Sequence, residues 1–200
     1  GTIRRSQNFI DWEVVRTGGN GGGTAVSGNT VVSLWNGPRY RSTNQGKKWT
    51  EVKDDLRMVG HPFIKSAGGN LFATARGDGE FKMSSDAGKT WKLLPDVKAG
   101  WTDSIVEGNG VLVSTGTRRE KDKPDMAYTA RSIDGGLTWV GQELIQGKRW
   151  SANVVFNGKE FVNWADGKCF KSVDGIKWKE SKISTGSFNS KYWGANVSVN

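Results

Sequence analysis

Four aromatic residues recur at corresponding places in the sequence and could stack on the rings of a bound sugar. They are Phe63, Trp101, Trp150 and Trp193. Basic residues precede most of them, among them Arg149 and Lys191. Flat aromatic faces contact the C–H faces of sugar rings, and neighbouring donors hydrogen-bond to the hydroxyls. This pattern favours carbohydrate binding. The alternative is that each ring fills a gap between neighbouring sheets.

Two further tryptophans could extend the same aromatic surface or pack between sheets. Trp35 and Trp164 end corresponding segments of the repeat, beside Asn36 and Asp166. Their position next to polar residues is compatible with either role.

Carboxylates in the predicted loops support a second, catalytic hypothesis. Asp78, Asp103 or Asp166, together with Arg39 or Arg149, could serve a glycoside hydrolase or a polysaccharide lyase. One histidine and no dense acidic loop argue against zinc, calcium and histidine-based catalytic pairs. We therefore expect no metal and no cofactor.

A short sequence motif, here called the phrase, occurs five times and predicts how these residues are positioned. Its tryptophans lie at positions 12, 49, 91, 139 and 178, a period close to one four-stranded propeller blade. The residues of the phrase are Ser6, Asn8 and Trp12; Ser42, Asn44, Gly46 and Trp49; Ser84, Asp86, Gly88 and Trp91; Ser132, Asp134, Gly136 and Trp139; Ser172, Asp174, Gly175 and Trp178.

Each copy of the phrase has the chemistry of a hairpin loop between two strands. Asp or Asn at its third position can accept hydrogen bonds from backbone N–H groups two residues on, and Gly supplies a positive φ. Ser can hold the carboxylate from the other side. We expect the Trp to pack under the loop or against the next blade, with its indole N–H on an acceptor.

The phrase resembles the Asp box, or bacterial neuraminidase repeat, of sialidases and other β-propellers. The resemblance covers the whole chain and implies a structural turn at the outer rim, remote from the ligand. It does not extend to sialidase catalysis, because the Arg-Ile-Pro motif is absent and Tyr40, Tyr128 and Tyr192 have no assignable glutamate partner. The sequence therefore predicts a non-sialidase member, leaning away from enzymatic activity.

Together these patterns predict an all-β fold: one β-propeller domain over residues 1–200, of about five four-stranded blades. If the strands of a blade are A to D, the phrase is the C to D turn, and function is expected at the opposite end. The chain begins with a C strand at 2–5 and ends on what aligns as an A strand at 194–200, so the closing blade would be shared between the termini. A longer parent propeller is the alternative.

The amino-acid composition favours some classes of binding partner over others. The net charge of +9, spread along the chain, favours a glycan or another anionic or polar surface ligand. A protein-interaction scaffold is a further hypothesis. Nucleic acid is disfavoured, because basic and aromatic residues do not interleave along a strand. No apolar run is long enough to span a membrane, and the resemblance implies a secreted or cell-surface protein.

Overall fold

The structure is a computed structural model that describes residues 1–18, 22–35, 38–53, 62–75, 81–94, 101–118, 121–124, 126–146, 154–165 and 168–181. The strands within these ranges are, in chain order, β1 Thr2–Arg5, β2 Glu13–Thr17, β3 Thr24–Ser27, β4 Thr30–Leu34, β5 Arg39–Ser42, β6 Thr50–Val52, β7 Pro62–Ala67, β8 Asn70–Ala75, β9 Phe81–Ser84, β10 Lys92–Leu93, β11 Trp101–Gly108, β12 Val111–Arg118, β13 Met126–Ser132, β14 Val140–Gln146, β15 Val154–Phe156, β16 Phe161–Ala165, β17 Lys168–Ser172 and β18 Lys179–Ser181.

The strands form a succession of antiparallel sheets in which sequence neighbours pair. A two-stranded sheet of β1 and β2 is followed by four four-stranded sheets: β3 to β6, β7 to β10, β11 to β14 and β15 to β18. The prediction of an all-β, five-sheet repeat is confirmed. The A strand expected at 194–200 lies outside the described residues. Two units, Gly1–Leu94 and Pro95–Asn200, divide the chain.

The predicted turns connect the strands as expected. Each repeated loop joins the last two strands of its sheet, as predicted. A short turn joins the first two strands of each four-stranded sheet, at Gly28, Gly69, Gly110 and Gly158. Gly28 and Gly110 occupy the left-handed region, with φ of 56° and 74°, which a two-residue hairpin requires. Both kinds of turn therefore lie at one end of each sheet, here called the repeat end. The other connections lie at the opposite end.

In the first unit, the core lies between the sheets β3 to β6 and β7 to β10. Alternate residues of facing strands form one apolar cluster that includes Val32, Leu34, Ile64 and Leu71. The first strands, β3 and β7, make the most extensive contacts between these two sheets.

The second unit repeats this packing between the sheets β11 to β14 and β15 to β18. Val113, Val154 and Phe161 form its apolar cluster, and Phe156 packs against it. Gly108 lies so close to the Phe156 ring that no side chain could be accommodated there. β11 and β15 are again in contact.

Arginines that directly precede the Ser of the phrase link neighbouring sheets in the first unit. Arg5 Nε donates to the Gln45 carbonyl at 3.0 Å, and Arg41 Nε donates to the Ala87 carbonyl at 2.8 Å. Both carbonyls belong to the repeated loop of the following sheet. A charged donor thus satisfies a loop carbonyl across each sheet boundary.

Candidate ligand-binding site

The acidic groups of the repeated loops are occupied by hydrogen bonds within the loop. In the third copy, Ser84 Oγ donates to Asp86 Oδ1 at 2.8 Å and accepts the Gly88 N–H at 2.8 Å. Thr90 donates its N–H to Oδ1 at 2.9 Å and its hydroxyl to Oδ2 at 2.6 Å, and Lys89 N–H adds a bond of 3.0 Å. The fourth copy repeats these contacts around Asp134.

Loop length changes which backbone groups reach the carboxylate. The prediction of donors two residues on was wrong for the full-length copies, where donors lie three and four residues on. It holds for the short copies, where Asn8 accepts from Ile10 and Asp174 from Ile176. Full-length loops hold two consecutive left-handed residues, such as Ala87 and Gly88, whereas a short loop holds one. One fewer residue therefore brings the donors one position closer.

The tryptophans of the phrase close their own loops. The indole N–H of four of them donates to the carbonyl three residues earlier, as Trp139 does to Gly136 at 2.9 Å. Trp91 differs, since its buried Nε1 has no hydrogen-bond partner in the described part of the structure. Of the two expected positions, under the loop or against the next blade, the second is wrong for Trp91 and Trp178, which pack at the boundary with the preceding sheet.

The electrostatics of the loops follow from these bonds. Partial burial acts to raise the pKa of Asp86, but the hydrogen bonds from Thr90, Ser84 and Lys89 outweigh it and lower the pKa to about 2. The hydroxyl and N–H of Thr138 lower the pKa of Asp134 in the same way. Carboxylates that are so fully hydrogen-bonded and ionised are poor proton donors at neutral pH. These loops therefore stabilise turns rather than perform acid–base chemistry.

A cationic and aromatic cluster lies at the opposite end of the first two sheets. Arg16 Cζ lies 3.4 Å from the centroid of the Tyr40 ring and 5.9 Å from that of Trp35. The two rings meet edge to face, with centroids 5.5 Å apart and planes at 76°. Arg16 is near the end of β2, Trp35 directly follows β4, and Tyr40 is near the start of β5. We call these three residues the Arg16 cluster.

Hydrogen bonds to the Ser33 hydroxyl oxygen support the Arg16 cluster. Trp35 Nε1 donates to Ser33 Oγ at 2.8 Å, and Thr24 Oγ1 donates to the same oxygen at 3.2 Å. Trp35 and Tyr40 are 3% and 5% exposed, so both rings are interior. Arg16 is partly exposed, and its Nε is buried without a hydrogen-bond partner in the described structure.

The sequence-predicted ligand residues have different positions. Phe63 is partly buried near the start of β7, and Trp164 is partly buried on β16. Trp101 begins β11, where only its backbone is described. Trp35 lies inside the cluster, so its ring supports Tyr40 and is not itself presented to a ligand. Outside the described residues lie Trp150, Trp193, Arg149 and Lys191.

Sequence reasoning missed Arg16 and considered Tyr40 only as a sialidase-type nucleophile. The two residues are 24 positions apart and meet through the packing of two sheets. The repeat gives little signal for Arg16, because the equivalent position is polar in the last two sheets, at Gln142 and Ser181, and apolar in the next two. Val52 and Leu94 occupy it there, as judged by pairing with Arg39 and Phe81.

No helix long and apolar enough to cross a bilayer occurs in the described part of the chain. No group of three or more potential metal-ligating side chains is found among those same residues.

Comparison with known proteins identifies the fold class. No protein-family model matches the chain, and no curated protein matches its sequence. Among solved structures, the chain is similar to an ancestral GH74 enzyme, a glycoside hydrolase, with a TM-score of 0.61 and 16% identity. That match covers 89% of this chain but only 25% of the enzyme. YCF48 bound to D1 peptide matches with a TM-score of 0.38 and 18% identity, covering 86% of this chain and 72% of that one.

The GH74 enzyme is a β-propeller, and the chain has the β-propeller fold. At such low identity the similarity establishes the fold alone, because propellers support many unrelated functions.

Proposed function

We propose that this protein is a non-catalytic, glycan-binding β-propeller that holds its ligand at the end opposite the repeated loops. In this proposal the repeated loops are Asp boxes that act as turns, as in other sialidase-like propellers, and the protein is secreted or displayed on a cell surface. The saturated carboxylates support the structural role of the loops. In this proposal the aromatic residues predicted at the opposite end supply stacking surfaces for the sugar rings.

The proposal depends most on the position of the Arg16 guanidinium and on its available hydrogen-bond donors. The guanidinium is held flat against Tyr40 at the opposite end, and its donors are not consumed by carboxylates of the described residues. A fixed planar donor set beside aromatic residues suits the hydroxyl and acidic groups of a sugar. Such a site binds and orients a ligand, and its arginine is a poor proton donor near neutral pH because it remains charged.

Glycan binding tests the proposal directly. Wild-type protein and a triple variant carrying Trp101→Ala, Trp150→Ala and Trp193→Ala are compared on a glycan array and then by calorimetry. Because stacking aromatics each contribute roughly 0.5–1.5 kcal/mol, the triple variant is expected to lose at least about tenfold in affinity. Trp12→Ala is the matched control, since Trp12 is 52% exposed but lies in a repeated loop.

The control variant is expected to bind glycans as the wild type does. Unchanged binding by the triple variant, or no glycan binding by the wild type, contradicts the proposal. Turnover of a fluorogenic glycoside that one carboxylate substitution abolishes would instead support the hydrolase or lyase hypothesis. Of its candidate acids, Asp103 lies on β11 without a described side chain, and Asp78 and Asp166 lie outside the described residues.

A second candidate, binding of a protein partner, is favoured by the first repeated loop. Phe9, Ile10 and Trp12 are 83%, 81% and 52% exposed and follow one another on its surface. Phe9 also has a φ of 60°, a conformation unfavourable for a bulky residue and occupied by Gly175 in the other short loop. Stoichiometric capture of one protein, lost in Phe9→Gly while glycan binding is absent, would favour this function.

A further inference from the structure

Arg16 places a cation at a position that is aliphatic in the two following sheets and polar but uncharged in the last two. In the two following sheets Val52, at the end of β6, and Leu94, directly after β10, occupy it, and Leu94 is buried. Gln142 and Ser181 occupy it in the last two sheets. A cation at this boundary forfeits the apolar contact that an aliphatic side chain would make. Among these five equivalent positions Arg16 is the charged one, and a local departure of this kind is a candidate functional position.

A bulge in the first sheet aims Arg16 at the boundary. Ile3 pairs with Arg16 and Arg4 pairs with Val14, so Val15 is an extra residue between the two pairs. A bulge redirects the side chains that follow it and increases local twist. The side chain of Arg16 consequently reaches across to Tyr40 on the next sheet.

The guanidinium is fixed in place before any ligand arrives. One face rests on Tyr40, Tyr40 is braced by the edge contact with Trp35, and Trp35 is held by Ser33. A chain of interior contacts of this kind removes rotamer freedom that binding would otherwise have to restrict. Stacking leaves the donors at the edge of the guanidinium plane directed away from the ring.

The charge on Arg16 lacks a complement within the described structure. Its Nε is buried and unpartnered, and no described carboxylate forms an ion pair with it. Arg5 shows the contrast on the adjacent strand, because it binds Glu13 at 2.7 Å and the Gln45 carbonyl. A partly buried charge is normally paired, so the guanidinium retains donor capacity for an anionic group.

We propose that Arg16 is the binding site for an acidic group, a carboxylate or sulfate ester, on the glycan ligand. This inference rests on the proposed function and names its ligand class as acidic oligosaccharides. Two oxygens of a carboxylate or sulfate match the fork of guanidinium donors, which gives a bidentate, charge-assisted pair. The overall charge of +9 would attract such a ligand and make binding sensitive to salt.

The test compares Arg16→Leu with Arg4→Leu. Arg16→Leu gives the position an aliphatic side chain, as in the two following sheets, so folding is expected to be retained. Arg16→Gln is the second variant should Leu fail to fold. Arg4→Leu removes the same charge from an exposed residue on the neighbouring strand. Calorimetry at low and physiological salt measures binding of uronic-acid, sulfated and neutral oligosaccharides of equal length.

Arg16→Leu is expected to lose at least about tenfold in affinity for an acidic oligosaccharide, as for loss of a charge-assisted pair. Affinity for neutral oligosaccharides should stay unchanged, and Arg4→Leu should change acidic binding by less than about twofold because its charge is solvated. The uronic-acid and sulfated arms show which acidic group is preferred. Equal acidic binding by Arg16→Leu and wild type overturns the inference.

The two proposals fail in different ways. If neutral and acidic glycans bind equally and Arg16→Leu has no effect, the glycan function stands and the acidic site is wrong. If no glycan binds, inorganic sulfate is titrated by thermal shift against sodium chloride of matched ionic strength. Stabilisation of the wild type but not of Arg16→Leu then supports the anion site without the glycan function. Equal stabilisation of both proteins rejects the site as well.

Discussion

Replacing Gly88 with Ala should destabilise the protein much more than replacing Gly46 with Ala. Both glycines hold the same place in full-length repeated loops, with φ of 79° and 80°. A Cβ at Gly88 would lie 2.7 Å from Val32 Cγ2 of the preceding sheet, whereas a Cβ at Gly46 meets nothing closer than 3.7 Å. The pair therefore separates backbone strain from packing between sheets.

The expected losses in the free energy of unfolding follow from backbone strain and from packing between the sheets. Left-handed backbone costs an alanine roughly 1 kcal/mol, which is the whole effect expected at Gly46. Overpacking a well-filled boundary adds about 1–3 kcal/mol, so Gly88→Ala should cost about 2–4 kcal/mol. Urea unfolding followed by tryptophan fluorescence measures both through the transition midpoint.

A third variant makes the test stringent. Val32→Ala removes the methyl groups that oppose the new Cβ, so Gly88→Ala in that background should cost about the same as Gly46→Ala, roughly 1 kcal/mol. Equal costs for the two single glycine variants, or no relief in the double variant, would show that the repeated loop does not pack tightly on the preceding sheet.

Three further predictions concern the loops and sheets. Because the pKa of Asp86 is lowered from 3.8 to about 2, the wild type should lose stability as pH falls from about 4 through 2. Solvent screening reduces this contribution to the free energy of unfolding to roughly 1 kcal/mol. Asp86→Asn should not show this loss of stability in an acid titration. The same loss in Asp86→Asn and in the wild type would contradict the assignment. Arg41→Met removes the bond to the Ala87 carbonyl and should cost about 1–2 kcal/mol in urea unfolding; no cost means that the link is dispensable. Gly141→Ala would collide with the Tyr128 hydroxyl and should lower the thermal midpoint by several degrees, since roughly 2–4 °C accompanies each kcal/mol; an unchanged midpoint argues against this close contact.

The repeated loops were predictable because their structure is local. Ser84, Asp86 and Gly88 lie within five residues, and their hydrogen bonds follow from side-chain chemistry and the need to reverse the chain. The donor offset was wrong because it depends on whether one or two residues adopt the left-handed region.

The Arg16 cluster was not predictable in the same way. Arg16 and Tyr40 meet only because a bulge shifts the register of β2 and because two sheets pack together. Neither effect has a signature in a short window of sequence. The arginines before each Ser are an intermediate case: Arg5 and Arg41 recur visibly in the sequence, but their carbonyl partners belong to the next sheet.

The most direct test of the central claim is a crystal structure of the protein with an acidic oligosaccharide. We expect the sugar at the end opposite the repeated loops, with its carboxylate or sulfate oxygens within hydrogen-bond distance of the Arg16 guanidinium and the Asp86 loop unchanged. A sugar bound at the repeated loops, or at the opposite end with its acidic group away from Arg16, would contradict the claim.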